Sequence, residues 1–328
     1  MYEYLSLGFF SIIGLVMLSK GSDWLTDSIV PLARKIGTTH SAISLILVSV
    51  LVSLPEILVA LIATYLQHPV IGLGVIFGSI ICNIGLMTGL NAFIKPLHID
   101  RQLIIRDGVF SVVFAVVVMA ISYDGAISRF EGLALLLLFI PYIITVWEEE
   151  KLKTPESREK ELETTIIELD MIGMQFGKMH AGILTFIFGS ALLLAGSEIF
   201  TDTLIRIAET SGLSDLIIGL TLGAIGPSIP NIVAAYKAGR KDMDNVVVSE
   251  TLGSNIFTLL VTLGVLSLVS PITLNPDWIA FDIPIMVVMS FALLLFMVTK
   301  RRLSRFEGGI LFFGYLLVLC LQIFKYAR

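Results

Sequence analysis

The chain has 328 residues, of which 56% are hydrophobic and 15% charged, with a mean hydropathy of +0.92. Soluble domains run nearer about 45–50% apolar and about 25% charged, so a water-soluble fold of this size lacks the charge to cover its surface. The net charge of −5 says little about partners, because in a membrane protein the placement of Lys and Arg carries the information.

Apolar blocks long enough to cross a ~30 Å hydrocarbon layer recur along the chain. They predict ten spans at 4–20, 41–66, 70–94, 103–122, 131–147, 181–200, 214–237, 246–269, 278–299 and 307–325. The fold class is therefore an all-α polytopic membrane protein. The N-terminus lacks the basic region of a cleavable leader, so its apolar run is expected to stay as the first span. The one long polar stretch, 148–178, begins Glu148-Glu149-Glu150-Lys151 and reads as a linker between residues 1–147 and 179–328. With the N-terminus outside, 18 of the 22 basic residues, Lys20 among them, fall on the cytoplasmic side. By the positive-inside rule both termini are outside a cell membrane and the linker is cytoplasmic.

Sliding the sequence against itself gives one match, at an offset of 175 residues, with 19 of the 80 positions from 21 to 100 identical. Gly21-Ser22-Asp23 lies over Gly196-Ser197-Glu198, Ser53-Leu54-Pro55-Glu56 over Ser228-Ile229-Pro230-Asn231, and Gly78-Ser79 over Gly253-Ser254. Ser128-Arg129-Phe130-Glu131-Gly132 returns one residue out of step as Ser304-Arg305-Phe306-Glu307-Gly308. A repeat of five spans, an odd number, must run the other way through the bilayer in its second copy. Inverted repeats with substrate held near the midplane mark secondary transporters.

Glu56 stands about 14 residues, or ~20 Å, into the second span, and a carboxylate at that depth points to function. Pro55 removes a helical donor beside it, and Pro227 and Pro230 bracket Ser228 in the other copy. These prolines predict interrupted helices with exposed backbone oxygens. Asn231 takes the place of Glu56; Ser79 and Asn83 share a helix face, with Ser254 and Thr258 as their mates. One carboxylate, two carboxamides and several hydroxyls are hard donors suited to Na⁺ or Ca²⁺. Glu250 shares the stripe of Ser254 and Thr258 and reads equally as an ion-path acid or an interfacial one. Asp23, Asp27, Glu198 and Asp202 are expected just past the ends of spans 1 and 6. Gly74/Gly78, Gly85/Gly89 and Gly219/Gly223 predict close helix packing.

These residues resemble the alpha-repeats of the cation/Ca²⁺ exchanger superfamily, nearest its short prokaryotic sodium/calcium exchangers, over nearly the whole chain. The resemblance implies a central site between spans 2, 3, 7 and 8, with long tilted spans 1 and 6 sliding across that core. It matches Ser53, Glu56, Ser79, Asn83, Ser228 and Ser254 to the family's ion ligands. The family's Gly-Thr-Ser-x-Pro-Glu reads Leu51-Val52-Ser53-Leu54-Pro55-Glu56 and Gly226-Pro227-Ser228-Ile229-Pro230-Asn231, and Thr258 replaces its span-8 acid or amide.

The expected function is cation antiport, Na⁺ (or H⁺) against Ca²⁺, with a proton-coupled or monovalent-selective exchanger as the alternative because Asn231 replaces an acid. A channel, an intramembrane enzyme and a non-transporting role fit less well; the chain has neither HExxH nor GxSxG. Cys82 and Cys320 both lie in apolar blocks, so no disulfide is expected. Apart from the transported ions and the bilayer, no cofactor, nucleic acid or obligatory protein partner is expected.

Overall fold

The computed structural model describes residues 2–37, 41–152 and 182–326. Among these residues it contains ten helices: α1 Tyr2–Gly37, α2 Ser41–Tyr65, α3 Pro69–Ile94, α4 Arg101–Asp124, α5 Arg129–Leu152, α6 Ile183–Ser211, α7 Asp215–Arg240, α8 Asp244–Val269, α9 Trp278–Lys300 and α10 Arg305–Tyr326. Among the described residues nine segments are long and apolar enough to cross a membrane, and Ser53–Tyr65 of α2 is a further apolar stretch. A helix satisfies its backbone groups within a single span without water, which is why the apolar blocks take this form. The expected linker lies outside the described residues from 153 onward, and 148–152 complete α5.

Two short antiparallel ribbons show how the halves are related. β1 (Leu97–His98) pairs with β4 (Arg302–Leu303), and β2 (Ala126–Ile127) pairs with β3 (Ile272–Thr273). β3 is the 175-residue mate of β1, and β4 follows β2 by one residue more. Because the whole of α4 separates β1 from β2, the ribbons sit at opposite ends of the bundle. Each repeat therefore lends one strand to each end, as an inverted pair requires. The recurring Ser-Arg-Phe-Glu is a capping box at the start of α5 and of α10. Glu131 Oε2 accepts from Ser128 N at 2.7 Å, and Glu307 Oε2 from Ser304 N at 2.7 Å.

α3, α7 and α8 form the centre. Ile71, Val75, Phe77, Val247, Ile256 and Leu260 are fully or almost fully buried there. Gly74 lets α3 approach α7: a Cβ on it would lie 2.7 Å from Gly219 Cα. Around this core, exposed Phe9, Phe10, Leu137, Phe188, Phe291 and Phe313 present an apolar belt suited to lipid.

Spans 1 and 6 differ from the expectation. α1 has 36 residues and α6 has 29, roughly 54 and 43 Å at 1.5 Å per residue, so both must tilt. Asp23, Asp27, Glu198 and Asp202, expected past the helix ends, lie inside them. Lys20, counted as a loop residue above, also lies inside α1, its Nζ 3.5 Å from Asp23 Oδ2. The apolar signal fades after Lys20, but the helix continues because Ser22, Asp23 and Thr26 turn into the protein.

α1 and α6 cross antiparallel. Built Cβ atoms at Gly14, Gly21, Gly189 and Gly196 would meet Phe200, Leu193, Leu25 and Leu18. Combined with the 175-residue offset, this register puts the pseudo-twofold axis between residues 19 and 20 of α1 and between 194 and 195 of α6. Lys20 thus stands near the plane about which the repeats invert.

Several helices carry π turns. Those at Asn83–Gly89 in α3 and Thr258–Thr262 in α8 begin at mated positions. Those at Ile104–Gly108 and Trp278–Asp282 open α4 and α9. A fifth, Gly219–Gly223 in α7, has a plain α-helical counterpart at 44–48.

Candidate functional site

The prolines do not interrupt their helices as expected: α2 runs through Pro55, and α7 through Pro227 and Pro230. Each proline only fails to donate to the carbonyl four residues back, at Leu51, Gly223 and Gly226, while neighbouring residues keep the helix closed. In α7 the π turn immediately upstream takes up the misfit.

Where α2 meets α7, Glu56 touches its own repeat mate. Glu56 is 1% exposed, and its Oε1 accepts from Ser228 Oγ at 3.1 Å and from Asn231 Nδ2 at 3.5 Å. Two mated residues in contact lie on the pseudo-twofold axis, so the carboxylate sits at the level where α1 and α6 cross. Among the described residues its other oxygen, Oε2, is buried with no hydrogen-bond partner, and neither has Ser53 Oγ one turn earlier on α2.

A second group joins α3 to α8. Asn83 Nδ2 donates to Ser254 Oγ at 3.3 Å and to Asn255 Oδ1 at 3.2 Å, while Asn83 Oδ1 is buried without a partner. Ser79 Oγ donates within its own helix, to Ile76 O at 3.0 Å. Thr258 is buried at the first residue of its π turn. Glu250 is half-buried on α8, and its field reaches Glu56. Cys82, the neighbour of Asn83, also lies within the field of Glu56.

The structure therefore brings Glu56, Ser228 and Asn231 into one hydrogen-bonded set, and Asn83 and Ser254 into another. Ser53, Ser79 and Thr258 are buried on the same helices without a bond to either set. Asn255 was missed by the sequence reading because its mate is the apolar Ile80, so the repeat gave it no echo. Among the described residues no group of three or more His, Cys, Asp or Glu gathers to hold a metal. What the site offers is one carboxylate among neutral oxygens, suited to a hard cation as cargo.

Two further acids were also missed. Asp107 and Asp282 are mates at the repeat offset, both buried at the starts of α4 and α9. Asp107 accepts from Arg106 Nε and Nη2, each at 2.8 Å, and from Tyr142 Oη at 3.1 Å. Asp282 accepts from Gln322 Nε2 at 2.9 Å and from the Tyr326 hydroxyl. Each acid ties α4 to α5 or α9 to α10 at one end of the hairpin, opposite the capping box.

An inverted-repeat helical membrane protein with a polar cluster on its internal axis has the architecture of a secondary transporter. The family described as sodium/calcium exchanger protein matches residues 6–148 and 181–324. An uncharacterized membrane protein of Methanocaldococcus jannaschii is 30% identical over 305 residues, covering 93% of each chain. The sodium/calcium exchanger MaX1 of Methanosarcina acetivorans is 27% identical over 331 residues, covering 93% of this chain and 95% of its own. A solved structure of the sodium-calcium exchanger NCX_Mj, soaked with Na⁺ and Sr²⁺, aligns with a TM-score of 0.66 at 28% identity, over 96% of this chain and 98% of that one. The chain belongs to the sodium/calcium exchanger family. It is a multi-pass membrane transporter, and its resemblance to that family is borne out along nearly its whole length.

Proposed function

We propose that the chain is a secondary-active cation antiporter with a single central site. Glu56, Ser53, Ser79, Asn83, Ser228, Asn231, Ser254 and Thr258 form that site between α2, α3, α7 and α8. It opens alternately to each side as α1 and α6 shift across it. The observation that carries this reading is a set of buried acceptor oxygens with no donor: Glu56 Oε2, Ser53 Oγ and Asn83 Oδ1. Leaving a buried acceptor unsatisfied costs about 1–3 kcal/mol, and more for a charged one. A desolvated cation bound at these oxygens relieves that cost.

The names of the relatives make Na⁺ and Ca²⁺ the first ions to test, with H⁺ as an alternative coupling ion. Glu250 serves as an acid on the approach to the site. Residues 1–147 and 179–328 act as the two inverted units, joined by a cytoplasmic linker at 148–178, with both termini outside. No cofactor is needed beyond the transported ions. In proteoliposomes, an imposed Na⁺ or H⁺ gradient drives cation uptake, and Glu56→Gln abolishes it. Equal uptake by wild type and Glu56→Gln refutes the central site.

A further inference from the structure

Resting on that reading of the central site, we propose that the site accommodates a single positive charge, so that the chain exchanges monovalent cations one for one without moving net charge. Glu56 is a carboxylate hydrogen-bonded directly to two other candidate ligands, Ser228 and Asn231. Its Oε1 already receives two donors from the second repeat, Ser228 Oγ at 3.1 Å and Asn231 Nδ2 at 3.5 Å. Its Oε2 is the open position, with Ser53 Oγ one turn away.

Position 231 is where the inverted symmetry would place a second acid facing Glu56. A carboxylate there would share cations with Glu56 across the axis. The amide instead turns its Nδ2 toward Glu56; its oxygen in that position would face a carboxylate oxygen and be repelled. A fixed N–H thus occupies the place of a shared ion and adds no negative charge. The α3–α8 group is neutral as well. Asn83 bonds Ser254 and Asn255, and its own mate is the hydroxyl of Thr258.

Charge balance then sets the substrate. One carboxylate with a monovalent cation or proton makes a neutral site that can be enclosed in a low-dielectric interior. The same carboxylate empty leaves a buried −1, and with Ca²⁺ a buried +1; both are penalised. Only the loaded site can be occluded and turned over, which is the condition for obligate exchange. Glu250, whose field reaches Glu56, stands one and two turns along α8 from Ser254 and Thr258. It is assigned to the approach and not to the bound ion's shell.

The test pairs ²²Na⁺ uptake into proteoliposomes with charge movement recorded on a solid-supported membrane, and adds calorimetric titration of purified protein with Na⁺ and Ca²⁺. The expected result is Na⁺ exchange, against Na⁺ or H⁺, with no current and with Na⁺ bound more tightly than Ca²⁺. Asn231→Glu then raises Ca²⁺ affinity by about a thousandfold more than it raises Na⁺ affinity, the value of the second ion charge facing one added carboxylate at ~4 Å and an effective dielectric near 20. Asn231→Asp, a smaller change, moves affinity the same way. Net charge moving with each wild-type exchange, or Ca²⁺ bound more tightly than Na⁺, overturns the one-charge site and leaves the antiporter reading standing. No cation uptake at all, with Glu56→Gln identical to wild type, overturns both.

Discussion

Gly21→Ala tests the contact on which the tilted helices depend. A Cβ at position 21 would lie 2.3 Å from Leu193 N, 2.5 Å from Leu193 Cα and 2.8 Å from Leu193 Cβ. Ordinary van der Waals contact begins near 3.4 Å, so α1 and α6 must part by about 1 Å at their crossing. The atoms in the way are mainly helix backbone and cannot swing aside. Overpacking of this kind costs about 1–3 kcal/mol, and the parted helices also lose the matching contact of Gly196, whose added Cβ would sit 2.5 Å from Leu18 N. The expected loss is about 2–3 kcal/mol in both Gly21→Ala and Gly196→Ala, read as a lower denaturation midpoint in detergent. Gly8→Ala is the control: nothing lies within 4 Å of its added Cβ, and helix propensity alone should add about 0.5–1 kcal/mol. A Gly21→Ala protein that melts with wild type or above it refutes the close crossing, and with it the placement of the pseudo-twofold axis.

The capping boxes make a symmetric prediction: Glu131→Ala and Glu307→Ala each cost about 0.5–2 kcal/mol by denaturant titration, and near-neutral values would show that the caps are ornamental. Asp282→Leu, with Gln322 and Tyr326 intact, strands the buried Gln322 amide and the half-buried Tyr326 hydroxyl and should cost about 2–4 kcal/mol; full stability would remove the acid's role in tying α9 to α10. At the loop between α7 and α8, the Lys95 ammonium holds the Asp242 carboxyl below the usual carboxylate range, and Asp242 in turn raises Lys95. A depressed acid contributes above its unfolded pKa and loses that contribution as pH falls through its folded value. A raised base contributes below its ordinary pKa and loses it as pH rises through the folded one. The contact is therefore constant through the neutral range. Carbon-detected NMR should show Asp242 titrating below a peptide aspartate and Lys95→Met moving it up; an unshifted midpoint contradicts the pairing.

The class and the inversion were legible because apolar length and a 175-residue echo are properties of the chain itself. Glu56 was legible for the same reason, since a carboxylate deep in an apolar block needs no neighbour to stand out. The extent of α1 and α6 was not. Past Lys20 the chain turns amphipathic, and its polar face is tolerated only because other helices cover Ser22, Asp23 and Thr26. Prolines mark a missing donor in sequence, yet whether a helix breaks there depends on how neighbouring residues and a π turn absorb it, as at Pro227. Asp107 and Asp282 gave no signal because only packing brings Tyr142 and Tyr326 of the adjoining helices onto them. Asn255 gave no signal because only the packing of α3 on α8 brings it to Asn83.

The central claim is that Glu56 Oε2 and its neighbours bind the transported cation. Crystals soaked in Tl⁺ or Sr²⁺ test it directly through anomalous scattering. The account predicts a peak within about 2.5–3 Å of Glu56 Oε2 and Ser53 Oγ, present in wild type and absent in Glu56→Gln. No peak near Glu56 with either ion, or one at Glu250 that survives Glu56→Gln, contradicts it.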